Sequence, residues 1–145
     1  MIALIQRVSH ANVVVDNETI GQIDQGILAL IGVQKGDQKS QADRLMQRLL
    51  GYRIFSDADD RMNLSVADIN GGILLVPQFT LAANTKKGTR PGFSTAAPPN
   101  EAETLFNYFV TEVQLKYPSV AQGMFGADMK VSLCNDGPVT FWLET

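Results

Sequence analysis

Hydrophobic residues recur along this chain with two periods, and the change of period marks its elements. Residues 2–15 hold two apolar runs, Ile2-Ala3-Leu4-Ile5 and Val13-Val14-Val15, with polar residues between them. This predicts one long or bent strand. Asp16-Asn17 signals a turn, and Thr19-Ile20-Gly21-Gln22-Ile23 returns as a hairpin partner. Gly26 to Val33 is a nearly continuous apolar run, the pattern of a buried strand. Leu45, Met46, Leu49 and Leu50 then follow at helical spacing, with Ser40 as the expected N-cap and Gly51 as the stop. Tyr52 to Phe55 reads as a short strand, Ser56 to Asp60 as a loop, and Ile73 to Val76 as another buried strand. A second helix is expected after Pro98-Pro99-Asn100, with Leu105, Phe106, Phe109, Val110 and Val113 on its apolar face and Tyr117-Pro118 at its end. The last segment reads as strand, turn, strand: Met129 to Leu133, Asn135 to Pro138, Val139 to Leu143.

Two helices are too few for a doubly wound parallel sheet. The pattern predicts an α+β fold, a curled, mostly antiparallel or mixed, barrel-like sheet with two main helices packed against it. The chain has 145 residues, which is the size of one domain, so residues 1–145 are read as a single unit. Composition agrees: 45% hydrophobic and 19% charged residues belong to a globular chain rather than a disordered one. No apolar run approaches the ~18 residues of a membrane span, and the N-terminus lacks a signal-peptide pattern. With one cysteine, Cys134, and one histidine, His10, there is no disulfide framework and little room for a metal centre. A cytoplasmic protein with no cofactor and no metal is expected.

Twelve basic and fifteen acidic residues give a net charge of −3, which argues against extended DNA or RNA binding. The acids are unevenly placed. None lies between Asp68 and Glu101, while Lys86, Lys87 and Arg90 fall inside that gap. These three are either an ordinary solvated loop or a patch for a nucleic-acid end.

The common catalytic motifs are missing: no G-x-S-x-G elbow, Walker loop, G-x-G-x-x-G or H-E-x-x-H. His10 sits in a predicted strand and reads as structural or exposed. Cys134 reads as a buried, inert thiol. The carboxylates of Ser56 to Asp60 lack the glycine and closing glutamate of a calcium loop. Two segments remain. Pro77-Gln78-Phe79-Thr80 follows a strand, where backbone N–H groups can face a ligand; otherwise it simply continues that strand. Asn135-Asp136-Gly137-Pro138 is a turn, or a turn that offers backbone acceptors to an ammonium group.

The strings Gln78-Phe79-Thr80-Leu81-Ala82-Ala83 and Asn135-Asp136-Gly137-Pro138-Val139-Thr140-Phe141-Trp142 together resemble the D-aminoacyl-tRNA deacylase family. Ile5-Gln6-Arg7-Val8, Leu50 to Asp57 and Arg90-Pro91-Gly92-Phe93 extend the likeness over nearly the whole chain. The resemblance implies a homodimer that hydrolyses the ester between a D-amino acid and the 3′-terminal ribose of tRNA, and that also accepts glycyl-tRNA. Gly137-Pro138 matches a Gly-cisPro motif that enters the partner subunit's site and leaves no room for an L side chain. Arg7 resembles the arginine that holds this motif. Gln78, Phe79 and Thr80 match the Gln-Phe-Thr core that lines the ester pocket. The chain departs from the family pattern at Pro77, where serine is usual, and more mildly at Gly92.

A threonine hydroxyl needs a base to become a nucleophile, and none is visible near Thr80 in the sequence. Catalysis assisted by the tRNA's own 2′-hydroxyl is therefore expected, with a backbone N–H of Phe79 or Thr80 as oxyanion donor. The competing readings are a small-molecule esterase using Thr80, an inactive dimer that binds the tRNA 3′ end, and a purely structural dimer.

Overall fold

The computed structural model describes residues 1–145. In chain order the elements are β1 (Ile2–Val15), β2 (Glu18–Ile23), β3 (Gly26–Gly32), α1 (Lys39–Gly51), β4 (Phe55–Ser56), β5 (Met62–Leu64), β6 (Gly72–Pro77), a 3₁₀ turn (Phe79–Ala82), α2 (Pro99–Lys116), β7 (Val120–Gln122) and β8 (Lys130–Glu144). Six strands form one mixed sheet in the order β2-β1-β3-β6-β7, with β8 on the other edge of β1. β1 is antiparallel to β2, β3 and β8, whereas β3–β6 and β6–β7 are parallel. The sheet curls until its ends approach: a Cβ built on Gly21 of β2 would lie 2.7 Å from the Gln122 carbonyl oxygen of β7. The expected α+β architecture, a curled mixed sheet with two helices, is the one observed.

Period-two alternation sorts the strands' side chains onto two cores. Ile27, Ala29 and Ile31 of β3 and Ile73 and Leu75 of β6 face the helices, meeting Leu45 and Leu49 of α1 and Phe106, Phe109 and Val113 of α2. Leu28, Leu74 and Val76 point to the other side, where Val8, Ala11 and Val13 of β1 join them. No polar or charged residue is buried. No helix is long and apolar enough to cross a membrane.

Four local expectations change. α1 begins earlier than Ser40: Gln38 is its N-cap, and its N–H donates to Gln41 Oε1 at 3.0 Å. Two short strands, β5 and β7, carried too little apolar pattern to be read. Tyr52 to Phe55 contributes only its last residue to β4. Most importantly, the C-terminal segment is not a hairpin. β8 runs on through Asn135 to Pro138, and both halves pair with the single long strand β1. The turn residues form a bulge instead of a reversal, because β1 is long enough to partner both halves.

Candidate active site

Three tight relationships place the Gln78 to Thr80 segment. Pro77 ends β6 in register with Ile31 of β3. The Gln78 N–H then donates to the Ile31 carbonyl at 2.7 Å. The chain turns into the 3₁₀ segment directly over Gly32, where a Cβ would come within 3.0 Å of Leu81 Cβ and 3.3 Å of the Gln78 carbonyl. Glycine thus lets the turn settle onto β3. The segment leaves the strand at this point and does not continue it. Phe79 and Thr80 are exposed, and Gln78 Nε2 donates to Thr80 Oγ1 at 2.6 Å. As the first residues of a helical turn, Phe79 and Thr80 have N–H groups without an intrahelical acceptor.

Two cavities flank this segment. One, about 620 Å³, contains Thr80 with Ile2, Gln34, Trp142 and Glu144. Glu144 is a carboxylate that sequence reading passed over. Its Oε1 accepts from Gln34 Nε2 at 3.1 Å and its Oε2 from Trp142 Nε1 at 3.3 Å. The other cavity, about 250 Å³, is mostly apolar and is lined by Pro77, Phe79, Ala97, Pro99, Ala102, Phe125 and Gly126. It joins the end of β6, the start of α2 and the loop before β8. No sequence spacing signals that Phe125 and Phe79 share a wall.

Gly137 and Pro138 belong to neither cavity. They form the crest of the β8 bulge. Between the pairs Gln6–Thr140 and Val8–Asn135, β1 advances two residues while β8 advances five. The Gly137-Pro138 peptide bond is cis, and Gly137 has φ +135°. Arg7 holds one side of the bulge: its Nε donates to the Asp136 carbonyl at 2.9 Å and its Nη1 to the Ile54 carbonyl at 2.8 Å. Asn135 holds the base. Its Oδ1 accepts the Val139 N–H at 2.9 Å and its Nδ2 donates to Thr140 Oγ1 at 3.0 Å. Gln6 Nε2 approaches the same hydroxyl at 3.4 Å. Bonds from charged donors such as Arg7 contribute about 1.5–3 kcal/mol each.

The segment 84–92 is a closed loop. Asn84 and Gly92 exchange two backbone hydrogen bonds, at 2.7 and 3.1 Å. Its base is anchored by the Thr95 hydroxyl on the Ala82 carbonyl and by the Lys35 N–H on the Thr95 carbonyl. Lys86, Lys87 and Arg90 stand exposed at its tip and line a polar cleft with Asn84, Gly92 and Ser94. None of the three is in an ion pair; those present join Met1 to Asp37, Arg7 to Asp136 and Lys130 to Asp128.

Two remaining residues differ in placement or role. Cys134 is exposed, not buried, because it projects from the outward face of β8 opposite His10 of β1. His10 is also exposed and meets Ser9 Oγ at 3.1 Å through Nδ1. Neither lines the cavity that holds Thr80. No group of three or more His, Cys, Asp or Glu side chains is placed to hold a metal ion.

The family model and the curated relatives give one assignment. The family model described as D-Tyr-tRNA(Tyr) deacylase matches residues 4–144. A D-aminoacyl-tRNA deacylase of Janthinobacterium sp. (strain Marseille) is 60% identical over 144 residues, covering 99% of this chain and 97% of its own. One from Marinomonas sp. (strain MWYL1) is 61% identical, with 99% and 100% covered. A solved structure titled c-Myc DNA Unwinding Element Binding Protein superposes with a TM-score of 0.96 at 37% identity, covering 100% of this chain and 99% of that one. On these grounds the chain belongs to the D-aminoacyl-tRNA deacylase family and is an enzyme of the hydrolase class.

Proposed function

We propose that this protein cleaves the ester of D-aminoacyl-tRNA, and of glycyl-tRNA, and spares the L-aminoacyl ester, so that it removes wrongly charged tRNA before translation. It does so as a homodimer in the cytoplasm. The observation that carries this reading is the separation of two halves of one site. Thr80 shares its cavity with Trp142 and Glu144, whereas Gly137-Pro138 lies four or more residues back along β8. At roughly 3.3 Å per residue the distance along the strand exceeds ~10 Å. A second protomer that brings its bulge to this cavity supplies what one protomer keeps apart.

In that arrangement the bulge is a rigid wall. Its backbone carbonyls accept from the substrate's ammonium group, and an L side chain collides with main chain that Arg7 and Asn135 hold in place. Glycine has no side chain to collide, and a D side chain points away into solvent. This reads the amino group and Cα rather than side-chain identity, so tolerance of many D-amino acids follows. The apolar cavity beside Phe79 is on the scale of a single nucleoside and takes the terminal adenosine. The flanking Phe79 and Phe125 rings offer a π-face to its base.

The chemistry asks little of the protein, because an aminoacyl ester is already activated. The free N–H of Phe79 or Thr80 receives the developing oxyanion, a contribution on the order of 10²–10³-fold. No base contacts Thr80 Oγ1, which instead accepts from Gln78; Thr80 therefore positions the ester. The terminal 2′-hydroxyl of the tRNA assists the attacking water. Pro77 removes a hydroxyl and an N–H from the usual serine position, and this mechanism uses neither. The test is release of amino acid from D-tyrosyl-tRNA and glycyl-tRNA by purified protein. Turnover of both at catalytic enzyme concentration is expected. Binding of tRNA without cleavage would identify an inactive binder, and cleavage of simple aminoacyl esters as fast as of tRNA would identify a general esterase.

A further inference from the structure

We infer that Phe93 is a stacking platform for the penultimate base of the tRNA's single-stranded 3′ end, with Lys86, Lys87 and Arg90 receiving the phosphates that follow. This rests on the deacylase reading, with the terminal nucleoside in the cavity beside Phe79.

Three surfaces of different character adjoin one another. Phe79 forms one wall of the apolar cavity. The Phe93 ring stands next to it, with centroids 5.1 Å apart and planes tilted by 44°. Both rings remain open, Phe79 at 54% and Phe93 at 42% exposure. Gly92 and Ser94, the chain neighbours of Phe93, line the cationic cleft together with Lys86, Lys87 and Arg90. An apolar cavity, an aromatic pair and a cationic cleft thus lie in succession. Single-stranded nucleic acid is gripped by this combination: aromatic faces for bases and cations for the backbone.

Three further features favour this occupant. The Phe93 ring pairs with Phe79 and still leaves 42% of the residue open to solvent at the foot of a polar loop. The three cations have no carboxylate partner, and no acidic residue lies between Asp68 and Glu101 to compete with phosphate. The loop foot is also fixed, by the paired Asn84–Gly92 bonds and by Thr95 on Ala82, so Phe93 is held in position. Stacking on a ring face is tolerant of base identity, so the platform places the end of any tRNA alike.

The experiment compares three substrates: the 3′-D-tyrosyl ester of adenosine, the same ester on the dinucleotide cytidylyl-adenosine, and D-tyrosyl-tRNA. The wild-type kcat/KM should rise from nucleoside to dinucleotide. In Phe93→Leu the ratio of the two should fall by about tenfold, chiefly through KM, since one base–aromatic stack is worth roughly 5- to 150-fold. Phe93→Tyr should restore it. An unchanged ratio in Phe93→Leu, or a wild-type enzyme indifferent to the added cytidine, would overturn the inference. Binding of an uncharged dinucleotide with 2-aminopurine in the penultimate position gives a readout independent of cleavage. Quenching by wild type and not by Phe93→Leu supports the platform even if no ester is cleaved, in which case the deacylase reading fails alone. No quenching by wild type would overturn the platform.

Discussion

Asn135 and Val139 are tied across the crest of the β8 bulge: the Asn135 side-chain oxygen accepts the Val139 N–H at 2.9 Å, with Gly137 and Pro138 enclosed between them. The amide's other end donates to Thr140, so one side chain closes the bulge at its base. Asn135→Ala leaves that N–H without its partner and frees the crest. The expected result is at least a tenfold loss of kcat/KM on D-tyrosyl-tRNA, together with measurable L-tyrosyl-tRNA cleavage. Asn135→Asp keeps the acceptor and should lose less. Equal, near-wild-type kinetics for both variants would show that the bulge holds its shape without this clamp.

Gly137 has no room for a side chain. An added Cβ would lie 2.8 Å from Val139 Cγ2 and 2.9 Å from Arg7 Nη2, at a φ of +135° that L side chains rarely adopt. Gly137→Ala should push Arg7 from the Asp136 and Ile54 carbonyls and abolish most D-ester cleavage. Cys134→Ser, on the outward face, should match wild type. Steady-state rates of the two variants, with circular dichroism to confirm folding, make the comparison; equal tolerance would remove the bulge from the site.

Thr80 and Glu144 share a cavity, and only their variants separate the mechanisms. Thr80→Ala should lose less than tenfold in kcat, and the wild-type enzyme should trap no acyl-enzyme on acid quench. Glu144→Gln should likewise keep cleavage within about tenfold, because both carboxylate oxygens are already engaged by Gln34 and Trp142. Complete loss in Glu144→Gln with an intact fold would make it the general base. A labelled protein intermediate would make Thr80 a nucleophile.

The turn after β4 has a pH signature. The Asn63 side chain and the N–H groups of Arg61 and Asp59 donate to Asp57 and hold its carboxyl below the usual carboxylate value. These bonds favour the ionised form. Their stabilising contribution is thus present above the unfolded value of about 3.9 and is lost as pH falls through the lower folded one. Asp57→Asn should lower the melting temperature at pH 7, and the gap from wild type should narrow near pH 3. A gap constant with pH would mean that the turn does not depend on this charge.

Legibility followed the range of the interactions. β1, β3, α1 and α2 announce themselves because their apolar periods are long and local, and the motif strings around Gln78 and Gly137 point to the family that the comparisons show. The hairpin expected at Asn135 to Pro138 failed because a turn signal cannot reveal that a strand far upstream is long enough to pair both halves. Cys134 is exposed rather than buried, and a lone thiol in a strand carries no pattern that tells which face it occupies. Phe125, Phe93 and Glu144 reach the site only through the curl of the sheet and the closure of the 84–92 loop, and neither has a local spacing to read.

The most direct test of the account is discrimination between enantiomers: D-tyrosyl-tRNA and L-tyrosyl-tRNA at equal concentration, with low enzyme, followed by release of tyrosine. The account predicts rapid loss of the D ester while the L ester decays only at its spontaneous rate. Enzyme-dependent loss of both esters at similar rates would contradict it, because a main-chain wall built on Gly137 and Pro138 cannot admit an L side chain.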